Sequence, residues 1–158
     1  MEENITLEIL SNNTIDILKP LWEELRDYHQ QHSVHFAERF KNFTFETRKE
    51  GLLKKDALHL LTAKEGVSHI GYCISSIDQN EGNIESLYLK PDFRKLDLGK
   101  LLITESMKWL EEQAVDSISV TVAAGNESVL DFYRRFGFEL STLKMKTVIN
   151  STVKAKKL

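Results

Sequence analysis

Residues 84–138 constrain this chain most, because they read in order as a strand, a loop bearing Arg and Gly, a helix, a strand and a second helix that opens at Asn126. The extended run 84–90 halts at Pro91, which cannot donate to a sheet ladder. The loop Arg94-Lys95-Leu96-Asp97-Leu98-Gly99-Lys100 follows, and then an amphipathic run ending near residue 114. In that run Ile103, Met107, Leu110 and Ala114 share one stripe, so one helix face must lie on a sheet. A helix starting at this loop directs unpaired N–H groups and the positive end of its dipole at an anion. Arg94, Lys95 and Lys100 add fixed positive charge.

The remaining segments complete an α+β pattern. Ile5, Leu7 and Ile9 alternate with polar neighbours as a first strand, and Ser11-Asn12-Asn13-Thr14 supplies turn and capping chemistry. Ile17, Leu21, Leu25 and Tyr28 recur at helical spacing, with Pro20 as either an early kink or the start of the well-formed part. Residues 33–53 form a second helical region that breaks around residues 42–45. Leu58, Leu60 and Thr62 alternate, and residues 67–77 are extended, with Glu65-Gly66 as the hairpin turn between the two runs. Residues 79–83 are a turn, and 117–123 alternate as a strand. Asn126 caps a helix whose face is Val129, Phe132, Tyr133 and Phe136, and Gly137 ends it. Residues 138–140 and 143–149 close the chain as two strands. The expectation is one domain over 1–150 and a basic tail over 151–158, with no repeat or linker.

With 158 residues, 41% hydrophobic and 28% charged, the chain suits one domain with one core. A formal charge of −3 offers no basic field for nucleic acid, which turns attention to a small-molecule or protein partner. The acidic start Met1-Glu2-Glu3-Asn4 and the short apolar run after it argue against a signal peptide and a membrane span, so the expected location is the cytoplasm. Cys73, the one cysteine, lies in an apolar run and reads as a buried core residue rather than a reactive thiol. His29, His32 and His35 with Glu38 lack the i, i+4 pair of a helical zinc motif, so no metal is expected. Trp22 and Trp109 read as packing anchors. Glu85 is placed by strand alternation on the face of Leu87 and Leu89, where it is either an exposed strand carboxylate or a partly buried one whose raised pKa would suit proton abstraction, directly or through water.

From residue 84 onward the pattern resembles the GNAT superfamily of N-acetyltransferases. The pieces are Leu87-Tyr88-Leu89-Lys90-Pro91, the loop 94–99, and Asn126-Glu127 followed by Phe132-Tyr133-Arg134-Arg135-Phe136-Gly137-Phe138, in the family's order and spacing. The likeness covers the last half of the chain by motif and the first half by topology alone. It implies a GNAT-like mixed, mostly antiparallel sheet flanked by helices, acetyl-CoA as donor and a primary amine as acceptor. The backbone of Leu87, Tyr88 and Leu89 would pair with the pantetheine arm, with the Leu89 N–H polarising the thioester carbonyl. Arg94 and the N–H groups of Lys95, Leu96, Asp97, Leu98, Gly99 and Lys100 would hold the pyrophosphate. Asn126 would bond the pantetheine besides capping its helix. Tyr133 stands where many members carry the tyrosine that serves the departing thiolate, and it also lies on the apolar face of its own helix. Tyr28, His29 and Phe36 fall in the helical region that walls the acceptor site in this family, and homodimers are common there.

The reaction implied is direct attack by the amine of a small molecule in a ternary complex. Glu85-Ser86-Leu87 and the run from Asn126 to Tyr133 look like the diamine and polyamine branch. A peptide or protein amino group is the alternative acceptor. The alternative from another class is a non-catalytic acyl-CoA-binding or sensing domain, motivated by one departure: Asp97 stands where the family's loop carries its first glycine. A carboxylate roughly 5 Å from a phosphate is repelled by about 0.8 kcal/mol at water-like screening and about 3 kcal/mol at a dielectric of 20. The expectation is that Asp97 turns outward and caps the helix.

Overall fold

Among the described residues, five strands join in chain order into one sheet: β1 (Ile5–Leu10), β2 (Ala57–Glu65), β3 (Ser68–Asp78), β4 (Glu81–Leu89) and β5 (Ser117–Val120). The pairings β1/β2, β2/β3 and β3/β4 are antiparallel and β4/β5 is parallel, so the sheet is mixed and mostly antiparallel, as expected. The computed structural model describes residues 4–147. The chain divides into two compact units, Met1–Ser128, which holds the sheet, and Val129–Leu158.

Helices cover both faces of the sheet. Between β1 and β2 run α1 (Lys19–His32), α2 (Ala37–Asn42) and α3 (Phe45–Leu53). Pro20 sits in the first turn of α1, where its missing N–H forfeits no intrahelical bond. The expected break before α3 is present: Thr44 is extended, and its hydroxyl accepts the Thr47 N–H at 3.2 Å. Ile15, Leu18, Leu21, Trp22, Phe45 and Leu52 bury themselves against Leu60, Tyr72, Ile74 and Tyr88 of the sheet. The alternate residues of the same strands look the other way. There α4 (Leu98–Glu112) buries Leu98, Leu102, Ile103, Ser106 and Leu110, and His59 of β2 stacks on Trp109 at 4.9 Å.

Several expected boundaries move. The β3/β4 turn is the two-residue hairpin Gln79-Asn80, both left-handed (φ 50° and 63°), so β4 begins at Glu81 rather than Ile84. The strand expected over 117–123 stops at Val120, because its partner β4 leaves it after the Ile84–Val120 pair. Strict alternation in β1 also fails at its end: Ile9 is 67% exposed and Leu10, at 7%, enters the core.

The chain after Gly125 departs further. A 3₁₀ turn over Glu127–Val129 and a short α5 (Leu130–Arg134) replace the longer helix expected from Asn126. Gly137 does end this segment, at φ 89°. Residues 138–147 form no strand, and Leu140, Leu143 and Met145 stay exposed, since no described strand pairs with them to bury them. The rest of the second expected strand and the tail 151–158 lie outside the described residues.

The exposure contrast in β1 predicts that Leu10→Ala costs about 2–4 kcal/mol while Ile9→Ala stays within about 0.5 kcal/mol. Urea midpoints measure both, and equal losses would contradict the register.

Candidate active site

A wedge in the sheet is the central feature of the first unit. Parallel pairing of β4 with β5 runs only from Glu81–Ser117 to Ile84–Val120, so residues 85–89 have no neighbour on the β5 side. Lys90 donates to the Ile70 carbonyl at 2.9 Å. Alternation along the antiparallel β3/β4 ladder then makes Tyr72–Tyr88 and Ile74–Ser86 the next hydrogen-bonded pairs. The N–H and C=O groups of Leu87 and Leu89 therefore face outward, into the gap. One of them is already used: the Leu89 carbonyl accepts Arg94 Nε at 2.9 Å.

The wedge opens at a β-bulge. Ile74 faces Ser86 and Ser75 faces Ile84, which leaves Glu85 as the extra residue of β4. An inserted residue reverses strand parity. Leu87 pairs with Cys73 on the α4 face, whereas Glu85 turns to the face of α1 and α3, contrary to the expectation that it shares the face of Leu87 and Leu89. There its carboxylate accepts Ser76 Oγ and Arg48 Nη2, each at 2.7 Å, with Lys55 Nζ at 3.9 Å. Arg48 Nη2 also reaches the Glu85 backbone carbonyl at 3.2 Å. Burial pushes this carboxyl up, but the Ser76 hydroxyl, Arg48 and Lys55 together outweigh it and hold the pKa below the ordinary value. The expected raised pKa is thus overturned.

The segment expected to hold an anion comprises the 3₁₀ turn Pro91–Phe93, the loop to Asp97 and the start of α4. Leu101 is the first residue of α4 to bond back, to the Asp97 carbonyl at 3.1 Å, which leaves the N–H groups of Leu98, Gly99 and Lys100 without intrahelical acceptors. Arg94 lies 5.6 Å over the Tyr88 ring. Asp97 is the N-cap residue, but its side chain makes no capping bond. Its backbone is left-handed (φ 56°, ψ 18°), while a capping side chain needs an extended N-cap, so the expected cap is corrected to a strained position. The same φ explains why a glycine suits this place.

At the other side of the gap, the C-terminal end of α1 meets the loop after β5. A Cβ on Gly125 (φ 97°) would lie 2.2 Å from the His32 carbonyl oxygen, so only glycine allows this approach. Tyr28 stacks on His32 at 4.0 Å, and His29 sits 5.4 Å from Phe40. Burial and the neighbouring His32 lower the His29 pKa. Tyr28 and His29 thus lie on the last turns of α1, whose end at His32 meets Gly125, whereas Phe36 neighbours His35 at 6.5 Å. Asn126 precedes a 3₁₀ turn instead of capping α5, whose N-cap is Val129. The Glu127 carboxylate takes the local Gly125 N–H at 3.0 Å. In the second unit Tyr133 is largely buried, with Phe132 and Phe138 edge-on at 5.3 and 5.9 Å.

Sequence reading missed Arg48, Ser76, Lys55 and Gly125. Arg48 lies 37 residues from Glu85 and carries no local motif. A glycine directly before the noted Asn126 was the one available signal. Cys73 is buried and its thiol is pushed up to about 11 by burial, which makes it inert. Among the described residues no three His, Cys, Asp or Glu side chains gather as a metal site.

Two outcomes follow from these geometries. Asp97→Gly relieves a left-handed backbone and should add about 0.5–1 kcal/mol to stability, read from urea midpoints; a loss would restore the capping role. For Glu85 the folded pKa lies below the unfolded value of about 4.3. Its contribution is therefore present above that pH and is lost as pH falls through the folded value. Glu85→Gln should be less stable than the parent at pH 7 and converge with it towards pH 3, and a constant difference would refute the pairing.

A model of the Acetyltransferase (GNAT) family matches residues 18–138. The chain is 30% identical over 67 residues to an N-acetyltransferase of Methanocaldococcus jannaschii, a match spanning 42% of this chain and 30% of that protein. It spans 30–58% of the length of the curated relatives it matches. In fold it is similar to the PaiA N-acetyltransferase of Thermoplasma acidophilum in complex with coenzyme A, with TM-score 0.72, 22% identity, and 89% and 92% of the two chains covered. It is also similar to an aminoglycoside acetyltransferase from an uncultured soil metagenomic sample, with TM-score 0.68, 18% identity, and 95% and 100% covered. The wedge, the outward N–H groups and the start of α4 are features of a chain that belongs to the acetyltransferase (GNAT) family.

Proposed function

We propose that this chain is an acetyl-CoA-dependent N-acetyltransferase that modifies a primary amine of a small molecule, polyamine-like or similar, by direct attack in a ternary complex. The observation that carries the reading is the unpaired edge of β4, whose Leu87 and Leu89 N–H groups face the gap left by β5. The aminoglycoside acetyltransferase of the same fold supports a small amine as acceptor. Location in the cytoplasm belongs to the same reading.

Acetyl-CoA supplies the acetyl group as a thioester. The residues present fit it: an open strand edge offers a ladder to an amide-bearing arm, and the first turn of α4 offers N–H groups to a pyrophosphate. We assign the arm to Leu87, Tyr88, Leu89 and Asn126, and the pyrophosphate to Arg94 and residues 95–100. The Leu89 N–H, fixed by the ladder, is assigned to the carbonyl oxygen that gains charge as the amine attacks. Tyr28, His29 and Phe36 are assigned to the acceptor wall. Glu85 already accepts from Ser76 and Arg48 and stays ionised, which makes it a weak base near neutral pH. We therefore assign the ammonium proton to water. The Tyr133 hydroxyl is assigned to the departing sulfur on the motif resemblance.

The test is thermal unfolding with acetyl-CoA, followed by thiol release across a panel of amines and peptides. Acetyl-CoA at about a hundred times its Kd should add roughly 2.7 kcal/mol of stability, and a small amine should turn over. Tyr133→Phe should lower kcat by about 10² with little change in acetyl-CoA affinity. An unmoved Tm ends the proposal, turnover of peptides alone corrects the acceptor, and binding without turnover on any amine selects a sensing domain.

A further inference from the structure

The bulge in β4 has a grip of its own, which the family motifs do not contain. A bulge leaves its extra residue outside the ladder, so the backbone carbonyl of Glu85 must find another donor. Arg48 of α3 supplies it, with one nitrogen at 3.2 Å from the Glu85 carbonyl oxygen and 2.7 Å from its carboxylate. The other carboxylate oxygen takes Ser76 Oγ at 2.7 Å, and the next residue, Ser86, is tied to the buried Tyr72 hydroxyl at 2.8 Å. Both residues at the turning point of the strand are thus held from the α1 and α3 face. Their rotation decides where the N–H groups of Leu87 and Leu89 point.

We infer that Arg48 is a positioning residue for acyl transfer: by gripping both the carbonyl and the carboxylate of Glu85 it fixes the bulge, and with it the aim of the Leu87 and Leu89 N–H groups into the wedge. This rests on the acetyltransferase reading above. Arg48 lies in no family motif and touches the strand at one residue only. Its side chain keeps 26% exposure and that of Glu85 keeps 12%, so the pair is sheltered enough to hold one geometry. A misaimed N–H donor weakens stabilisation of the developing charge more than it weakens cofactor binding, most of which belongs to the pyrophosphate end.

The decisive variants are R48K and E85Q. Lysine keeps the charge but its stem ends one bond short of the guanidinium nitrogen, so it cannot hold both oxygens. Glutamine at position 85 leaves Arg48 its backbone carbonyl and one side-chain oxygen, and gives up only the carboxylate oxygen that meets Ser76. R48K should lower kcat at least thirtyfold with KM for acetyl-CoA within threefold of the parent, while E85Q loses less than tenfold. In R48K, hydrogen exchange at the ladder-bonded Ser86 and Tyr88 amides should rise at least tenfold, with β1/β2 amides unchanged as the check on folding. The exchange arm reads the grip whether or not the parent turns over. An unmoved parental Tm with acetyl-CoA would therefore sink the activity and not the grip. Parental kcat or parental exchange in R48K overturns the inference, as does an E85Q loss larger than that of R48K. Should R48K fail to fold, S76A removes only the second carboxylate bond, and raised Ser86 exchange is the expected result; parental exchange there overturns the inference.

Discussion

One inserted residue in β4 sets the geometry on which the rest depends. Up to Ile84 the strand has neighbours on both sides, and after Glu85 it has one. A bulge adds local twist and bends its strand, which is how a continuous sheet comes to carry an open edge in its interior without exposing a long, sticky rim. The parity change that comes with it sorts the side chains. Leu87 goes to the α4 face, while Glu85, Ser86 and Tyr88 go to the face of α1 and α3. The outward N–H groups are then backed on both sides by a packed core, so burial of Tyr72, Tyr88, Leu89 and Ile84 acts together with the hold on Glu85 to set their direction before any ligand binds. Such preorganisation is what lets a backbone donor stabilise charge with little rearrangement.

Long periodic elements were legible because their burial is continuous. The stripe of α4, the start of α1 at Pro20 and the break before α3 each follow from a local preference that tertiary packing reinforces. The bulge was not legible, because a period-two reading assumes no insertion, and a one-residue slip carries Glu85 to the opposite face. Position 9 failed for a related reason: alternation marks candidates for burial, but the edge strand β1 buries Leu10 and leaves Ile9 outside. Asn126 has cap chemistry yet stands before a 3₁₀ turn, since the chain here is governed by the close approach of Gly125 to the end of α1. Arg48 was invisible because long-range ion pairs leave no local pattern.

At the start of α4 opposing charges compete for the anion assigned to it. Asp97 is exposed, so its repulsion of a nearby phosphate belongs at the water-like end, about 0.8 kcal/mol at 5 Å rather than about 3 kcal/mol. Against it stand Arg94, Lys95 and Lys100, all exposed, and the start of a 15-residue helix, worth about 0.3–1 kcal/mol to an anion by its dipole alone. Arg94 is partly committed to the Leu89 carbonyl and the Tyr88 ring, which orients its guanidinium without spending its charge. The balance therefore favours an anion even with the acid in place. What Asp97 costs is mainly conformational, because its left-handed backbone is the one feature here that glycine would adopt freely. The departure from the family's loop thus falls on stability before it falls on binding, and it gives little reason to prefer a sensing domain over a working transferase.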